Sequence, residues 1–229
     1  MKNAIVLCSG GIDSVVTSHY VKRKLKYDKL IILFFNYSQR TLQSERKFSK
    51  LCANNLKARF KEIKINVIKS IDSSLLTNSK KIRRVDKKGL KDTKKESEKY
   101  YVPFRNGIFL SYAIALAESL KTKEKKDFDI FVGFKNEGKE WYPDTTKGFI
   151  EEFNKLGRFS SLNPKIFAPL IKKDKEDVIK IGEELGVNFR ETHSCYSSNV
   201  QCGTCLACRL RQEGFYWAGI ADKTVYLSK

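Results

Sequence analysis

LCSGGIDSVV, residues 7–16, closes the first apolar run of the chain and decides how the rest is read. Residues 4–8 (AIVLC) form a short strand of the buried type, two adjacent glycines follow between serines, and from residue 13 apolar side chains recur at helical spacing, with Val15, Val16, Tyr20 and Leu25 available for a core face. A strand, loop and helix in this order deliver the loop to the carboxyl end of a parallel sheet, where open α/β sheets bind their ligands. Glycines let the backbone approach an anion and turn its N–H groups toward it. The N-terminus of the following helix adds a favourable dipole, and Ser9 and Ser14 offer hydroxyl donors. A carboxylate at Asp13 makes better sense holding a Mg²⁺ that bridges phosphates than facing an anion directly. Neither G-x-x-x-x-G-K-[ST] nor G-x-G-x-x-G is present, which sets aside the kinase- or GTPase-type phosphate loop and the dinucleotide fingerprint. On the loop alone, a phosphate cradle and a plain strand-to-helix turn are equally good readings.

Working outward, residues 30–36 (LIILFFN) are a second continuous apolar run, as strands buried on both faces tend to be. A helix of mixed charge is expected over 41–57 and an alternating third strand over 60–68. This β-α-β-α-β order implies right-handed crossovers and a parallel sheet. Residues 72–99 are rich in Lys, Asp and Ser and read as a mobile loop or insertion. A helix over 105–120, a fourth strand over 128–133 ending in glycine, and helices over 147–156 and 174–185 complete the pattern. The last helix has Asp174 as its cap, Glu176 and Asp177 at its positive end and Gly186 at its exit. The expected architecture is an α/β domain over 1–189, an open parallel sheet with helices on both faces in the Rossmann-like manner, with a small C-terminal segment over 190–229 packed on it.

Composition bounds the function classes. The 229 residues, 41% hydrophobic with 15 Phe and 10 Tyr, suffice for a sizeable core. No apolar run approaches the ~20 residues of a membrane span, and the N-terminal run falls short of the ~7–15 residues of a signal h-region, so a cytoplasmic protein is expected. The formal charge of +19 suits a nucleic-acid partner. The excess is scattered and partly balanced by acids, however, as in NSKKIRRVDKKGLKDTKKESEK, and a solvated lysine-rich surface is favoured.

Of six cysteines, four lie between 195 and 208, spaced Cys195-x6-Cys202-x2-Cys205-x2-Cys208, while Cys8 and Cys52 stand alone as buried thiols. Four thiolates at this spacing match a closed, structural Zn²⁺ site. An iron–sulfur cluster and a redox pair are the competing readings, and the ligand count favours zinc. His193 would be a fifth ligand and is read as lining a pocket or as an ordinary surface histidine.

Directly after the first strand, SGGIDS resembles the pyrophosphate loop of the N-type ATP pyrophosphatases, which split ATP to AMP and pyrophosphate while adenylating a substrate. That resemblance accounts for the missing lysine, because the chemistry is at the α-phosphate. Further blocks are Tyr37-Ser38-Gln39-Arg40, Tyr101-Val102-Pro103-Phe104-Arg105-Asn106, Tyr142-Pro143-Asp144, Ser194-Cys195-Tyr196, and the run from Cys202 through Gly214-Phe215, Gly219, Asp222 and Thr224 to Tyr226. Together, nearly end to end and in order, they resemble the 7-cyano-7-deazaguanine synthase family of queuosine and archaeosine biosynthesis.

The resemblance implies an ATP-dependent ligase acting on 7-carboxy-7-deazaguanine and ammonia, with ATP, Mg²⁺ and Zn²⁺, working as a homodimer. It implies ATP binding by Ser9, Gly10, Gly11, Ile12, Asp13 and Ser14, with Asp13, Ser14, Arg40 and Arg105 catalytic. Gln39, Arg40, Arg105, Asn106, Tyr142 and Asp144 would meet the substrate, and Cys195, Cys202, Cys205 and Cys208 the metal. The chain departs from the family pattern around YPD, where Trp141 precedes and Thr145-Thr146 follow in place of the usual Gly and Cys-Arg, and at Lys135 ahead of Asn136. The competing readings are a relative that stops at the amide or conjugates a deazaguanine to another acceptor such as a protein amine, a tRNA-modifying ATP pyrophosphatase, and a zinc-stapled nucleotide-binding module without activity.

Overall fold

A computed structural model of the chain describes residues 2–72, 74–78, 80–85, 93–135, 142–160 and 163–227. Five parallel strands run β1 (Asn3–Leu7), β2 (Lys29–Asn36), β3 (Arg59–Lys64), β4 (Asp129–Phe131) and β5 (Ile166–Phe167). They pair in the order β3-β2-β1-β4-β5, which places β1 at the centre. The helices are α1 (Ile12–His19), α2 (Leu42–Asn55), α3 (Val67–Ile71), α4 (Thr93–Ser97), α5 (Arg105–Glu124), α6 (Lys147–Leu156), α7 (Lys175–Glu184) and α8 (Leu206–Ala218).

The two-residue period of a strand assigns each side chain to a layer. Ile5, Ile31, Leu33, Ile130 and Val132 enter one core with Leu110, Ala113 and Ala117 of α5 and Ile150 and Phe153 of α6. Their neighbours Ala4, Val6, Leu30, Ile32 and Phe131 enter the other, against Val15 and Val16 of α1, Ala53 of α2 and Val178 and Ile179 of α7. Helices therefore cover both faces, as the unbroken apolar runs of β1 and β2 require, since a strand with one wet face would alternate. Each of these buried aliphatic side chains contributes about 1.5–3 kcal/mol.

Three expectations are corrected. The third strand stops at Lys64 and Val67–Ile71 turn into a helix that sends Ile68 into the core. The fourth strand is three residues long, and β5 pairs with it through two residues, too short to leave a periodic signal. The polar stretch 72–99 is anchored rather than mobile in its described part. Leu76, Ile82 and Val85 are buried, Val85 N–H donates to the Thr204 carbonyl at 2.9 Å, and α4 follows. Sparse apolar anchors in a charged segment vanish in an average over composition. The C-terminal segment packs on the sheet layers through α8, which sends Phe215 into one core while Cys205, Leu206 and Cys208 join the other.

Arg211 of α8 ties that segment down. It is 1% exposed and donates to Thr192 Oγ1 at 2.8 Å, Phe189 O at 2.9 Å, Thr224 Oγ1 at 2.8 Å and Ser194 Oγ at 3.2 Å, with Asp222 Oδ2 at 3.4 Å. Tyr226 O–H donates to the same Asp222 carboxylate. Removing one member of a buried charged network leaves the others uncompensated, at about 3–5 kcal/mol. Arg211→Met is expected to lower the unfolding free energy from urea denaturation by that amount, and Arg211→Lys to recover only part of it, because an ammonium lacks the five-donor fork. A loss below about 1 kcal/mol for Arg211→Met would show the network to be dispensable.

Candidate active site

The carboxyl ends of β1, β2 and β4 open into a cavity of about 330 Å³, within the usual range for a small-molecule site. The Ser9–Ser14 loop forms its floor. Gly10 takes φ +76°, and a Cβ there would lie 2.9 Å from the Glu45 carbonyl oxygen and from Phe48 Cβ, so glycine is what lets α2 close over the loop. The Gly10 carbonyl accepts from His193 N–H at 2.8 Å. Gly11 is the N-cap of α1. Ser14 Oγ donates to the Gly11 carbonyl at 3.1 Å and accepts from Ser9 N–H at 3.2 Å, which sets the curl of the loop. Behind it, a Cβ on Gly133 would sit 2.9 Å from backbone atoms of Asp13 and Ser14, so the end of β4 also packs backbone against backbone.

The cation missing from the loop comes from elsewhere in the chain. Lys175, the first residue of α7, donates through Nζ to both Asp13 carboxylate oxygens, at 2.7 and 2.8 Å, and both residues line the cavity. The sequence reading took residues 174–177 as a capping pattern only. A lysine at the first helical position opposes the helix dipole, and that local conflict was the available signal.

The other expected residues fall in two groups. Arg105, Asn106, Tyr142 and Asp144 line the cavity opposite the loop. Arg105 lies 5.7 Å over the Tyr37 ring and 5.8 Å over Phe109, and donates through NH1 to Tyr37 Oη at 3.2 Å. Burial pushes the Tyr37 phenol up to about 12, so it stays protonated. Asp144 Oδ2 accepts from Asn106 N–H at 3.1 Å, satisfying a donor at the start of α5. The N-cap of α6 is Thr146, which accepts from Phe149 N–H at 3.2 Å, so Asp144 does not cap the helix that follows it. Gln39 and Arg40 stand away from the cavity wall. Gln39 is buried, donating to Phe35 O at 3.0 Å and Glu45 Oε2 at 2.9 Å, and Arg40 donates to the carbonyls of Asn78 and Lys80, each at 2.5 Å. In this structure Arg40 is engaged with the Asn78 and Lys80 carbonyls rather than with the cavity. Trp141 and Asn136 lie outside the described residues, whereas Lys135 is buried in the cavity wall.

Beside the cavity, Cys195, Cys202, Cys205 and Cys208 bring their sulfurs within 4.8 Å of one another, the sole such group of metal-ligand type among the described residues. The Cys202–Cys208 and Cys195–Cys205 sulfurs are 3.9 Å apart. A tetrahedral ion with metal–sulfur bonds of ~2.3 Å requires sulfurs about 3.8 Å apart. Backbone N–H groups of Thr204 and Cys205 donate to Cys202 Sγ at 3.4 and 3.3 Å, and Ser197 N–H to Cys195 Sγ at 3.3 Å, which favours thiolates. His193 is not part of this group. Its ring stacks on Phe48 with centroids 6.1 Å apart, and burial pulls its pKa down to about 4, so the imidazole is neutral.

A parallel α/β sheet with a glycine–serine loop at its carboxyl edge, a helix N-terminus behind it and cations on its walls is built to receive an anionic small molecule. The family model described as "Queuosine biosynthesis protein QueC" matches residues 3–219, and the chain belongs to that family. Among curated relatives, the 7-cyano-7-deazaguanine synthase of Nitratiruptor sp. is 39% identical over 98% of this chain and 99% of that one. That of Methanococcus maripaludis is 37% identical over 98% of each. Among solved structures, the NMN synthetase from Francisella tularensis has a TM-score of 0.43 and 14% identity, over 97% of this chain and 79% of that one.

If Gly133 is what admits β4 to the loop, Gly133→Ala should cost about 1–3 kcal/mol, since backbone rather than a side chain must move. Gly148, on α6 with nothing within 4 Å of an added Cβ, is the control. Gly148→Ala should stabilise by about 0.5–1 kcal/mol through helix propensity. Thermal melts of both variants check the pair, and equal effects would refute the packing account.

Proposed function

We propose that the chain is a 7-cyano-7-deazaguanine synthase, an ATP-dependent ligase that converts 7-carboxy-7-deazaguanine and ammonia to the nitrile. The supporting observation is the Ser9–Ser14 loop with Lys175 against Asp13, in a chain of this family matched over nearly its whole length. The α1 N-terminus and the Ser9 and Ser14 hydroxyls would hold the pyrophosphate that leaves ATP, with Lys175 spreading the charge that develops on it. Arg105, across the cavity, would hold the substrate carboxylate for attack on the α-phosphate.

The first reaction forms a C–O–P bond and breaks the bond from the α-phosphorus to the bridging oxygen, giving acyl-adenylate and pyrophosphate. Ammonia then forms the C–N bond and AMP departs with the C–O electron pair. Adenylation of the amide oxygen by a second ATP, followed by loss of AMP and the amide protons, gives the nitrile. Asp13 suits Mg²⁺, which is commonly held by one or two carboxylates together with substrate phosphates, and the ion would supply charge neutralisation there. Asp144 would accept from the N1–H and 2-amino edge of the deazaguanine. No helix among the described residues is long and apolar enough to cross a membrane, and both substrates proposed are small polar molecules. The homodimer belongs to the same reading, and light scattering of the purified chain tests it.

The protein with ATP, Mg²⁺, ammonium and 7-carboxy-7-deazaguanine should yield nitrile, AMP and pyrophosphate by mass spectrometry. Amide alone or a protein adduct would point to a diverged relative, and no AMP with this acid would sink the reading. Asp13→Ala and Lys175→Met should each lower turnover by about 10²-fold or more.

The thiolate group is proposed as a structural Zn²⁺ site that staples the C-terminal segment. The purified chain should carry about one zinc per chain by elemental analysis, and Cys205→Ser should lose it together with several degrees of Tm. Iron in place of zinc would overturn the assignment.

A further inference from the structure

The reaction proposed above needs a group that the loop and the cations do not provide. Ammonia is protonated at neutral pH, and ammonium has no lone pair with which to attack an acyl-adenylate. A group in the cavity that receives the cation and removes a proton would raise the supply of nucleophile at the acyl carbon.

Three acids and one imidazole line the wall near the loop. Asp13 has both oxygens bonded to Lys175. Asp144 is engaged at the start of α5. His193 is held neutral by burial and is a weak base. Glu45, in the first turn of α2, differs from all of these. It lines the cavity, and its bonded partners are neutral: Thr41 Oγ1 donates to Oε1 at 2.6 Å and Gln39 Nε2 to Oε2 at 2.9 Å. A carboxylate offers about four lone-pair sites, so two stay available. Burial raises its pKa and makes it a better base, while Arg105 nearby works in the opposite direction. Its own backbone carbonyl is the atom that an added Cβ on Gly10 would meet at 2.9 Å, so this turn of α2 lies directly against the loop.

We propose that Glu45 is the ammonium subsite and the proton acceptor for the amine step. The proposal rests on the synthase reading. Ammonium docks on the free lone pairs of the carboxylate, and an N–H bond breaks as its proton passes to the Glu45 oxygen. The freed nitrogen pair forms the C–N bond to the acyl carbon. The C–O bond to AMP breaks with its electron pair leaving on AMP, and the nitrogen sheds its second excess proton to water. Gln39 then acts as a positioning residue: its amide is fixed by Phe35 O and by Tyr37 N–H at 3.0 Å each, and it aims the Glu45 carboxylate.

Two half-reactions separate this role from a structural one. With the full-length chain, 7-carboxy-7-deazaguanine-dependent exchange of labelled pyrophosphate into ATP reports adenylation without ammonia. Amide formation reports the amine step. Glu45→Gln is expected to keep exchange within about threefold of wild type while amide formation falls by about 10²–10⁴. Hydroxylamine, which is neutral at neutral pH, should restore acyl transfer as the hydroxamate. Equal loss of exchange and amide formation, or undiminished amide formation, would overturn the proposal. Should Glu45→Gln fail to fold, Glu45→Asp is expected to keep exchange and lose about tenfold in amide formation, and parallel losses would again refute it. Absence of exchange in the wild-type chain sinks the synthase reading itself, and this proposal with it.

Discussion

The structure turns on a contact between two pieces of backbone. Gly10 admits the first turn of α2 and Gly133 admits the end of β4, each at a distance that a Cβ would close to 2.9 Å. Everything else in the cavity takes its position from this. The loop cannot curl back onto Ser14 unless α2 is close, and β4 cannot pair with β1 through Ala4, Ile5 and Val6 unless its exit slides under Asp13. Interiors packed as densely as organic crystals do not absorb one extra carbon at such points. The price of two glycines in ordered structure is met by a strand-to-helix turn that lines the cavity floor.

That space has an electrostatic character the total charge does not reveal. A formal charge of +19 is mostly a property of the surface, screened within about 8 Å at physiological salt. Inside the cavity the relevant charges are few: Lys175, Arg105, Lys135 and Arg211 among the cations, Asp13, Glu45 and Asp144 among the acids. The Asp13–Lys175 pair is about a quarter exposed on each side, so it is neither a loose surface pair nor a sealed one. Such a pair can exchange partners when a phosphate and its counter-ion arrive, because each charge gains a new partner as it gives up the old one.

The elements legible in the sequence were those whose pattern is local and long. β1, β2, α2, α5, α6 and α7 all lie within a few residues of where periodicity and capping put them, and Gly186 leaves α7 at φ +66° as its C-terminal exit requires. What escaped was set by tertiary contact. β5 is a strand only because β4 offers two residues an edge. Val85 is held against the C-terminal segment, its N–H on the Thr204 carbonyl, a contact no local pattern announces. Of the residues that motif order singled out, the loop, Arg105 and Asn106 stand at the cavity. Gln39 and Arg40 bond elsewhere, since adjacency to a strand end does not say which way a side chain leaves it. Glu45 and Lys175 carried no motif at all and were found by position.

The C-terminal segment ends up structurally inseparable from the loop. Residues 189–196 pass from the Arg211 network, through His193 N–H on the Gly10 carbonyl, to Cys195 in the thiolate group, a path of few residues with little slack. Tyr196 continues it by packing its ring 4.6 Å from Tyr100, next to Tyr101 and Tyr142 at the substrate end of the cavity. Arg211 fixes the near end of this path, and a metal drawing the four sulfurs together, as proposed above, would fix the far end. The loop carbonyl at Gly10 would then be held by a segment clamped on both sides. A closed tetrahedral site would do no chemistry of its own, but it would remove a degree of freedom from the loop, and such preorganisation is what a phosphate cradle without a lysine of its own would depend on.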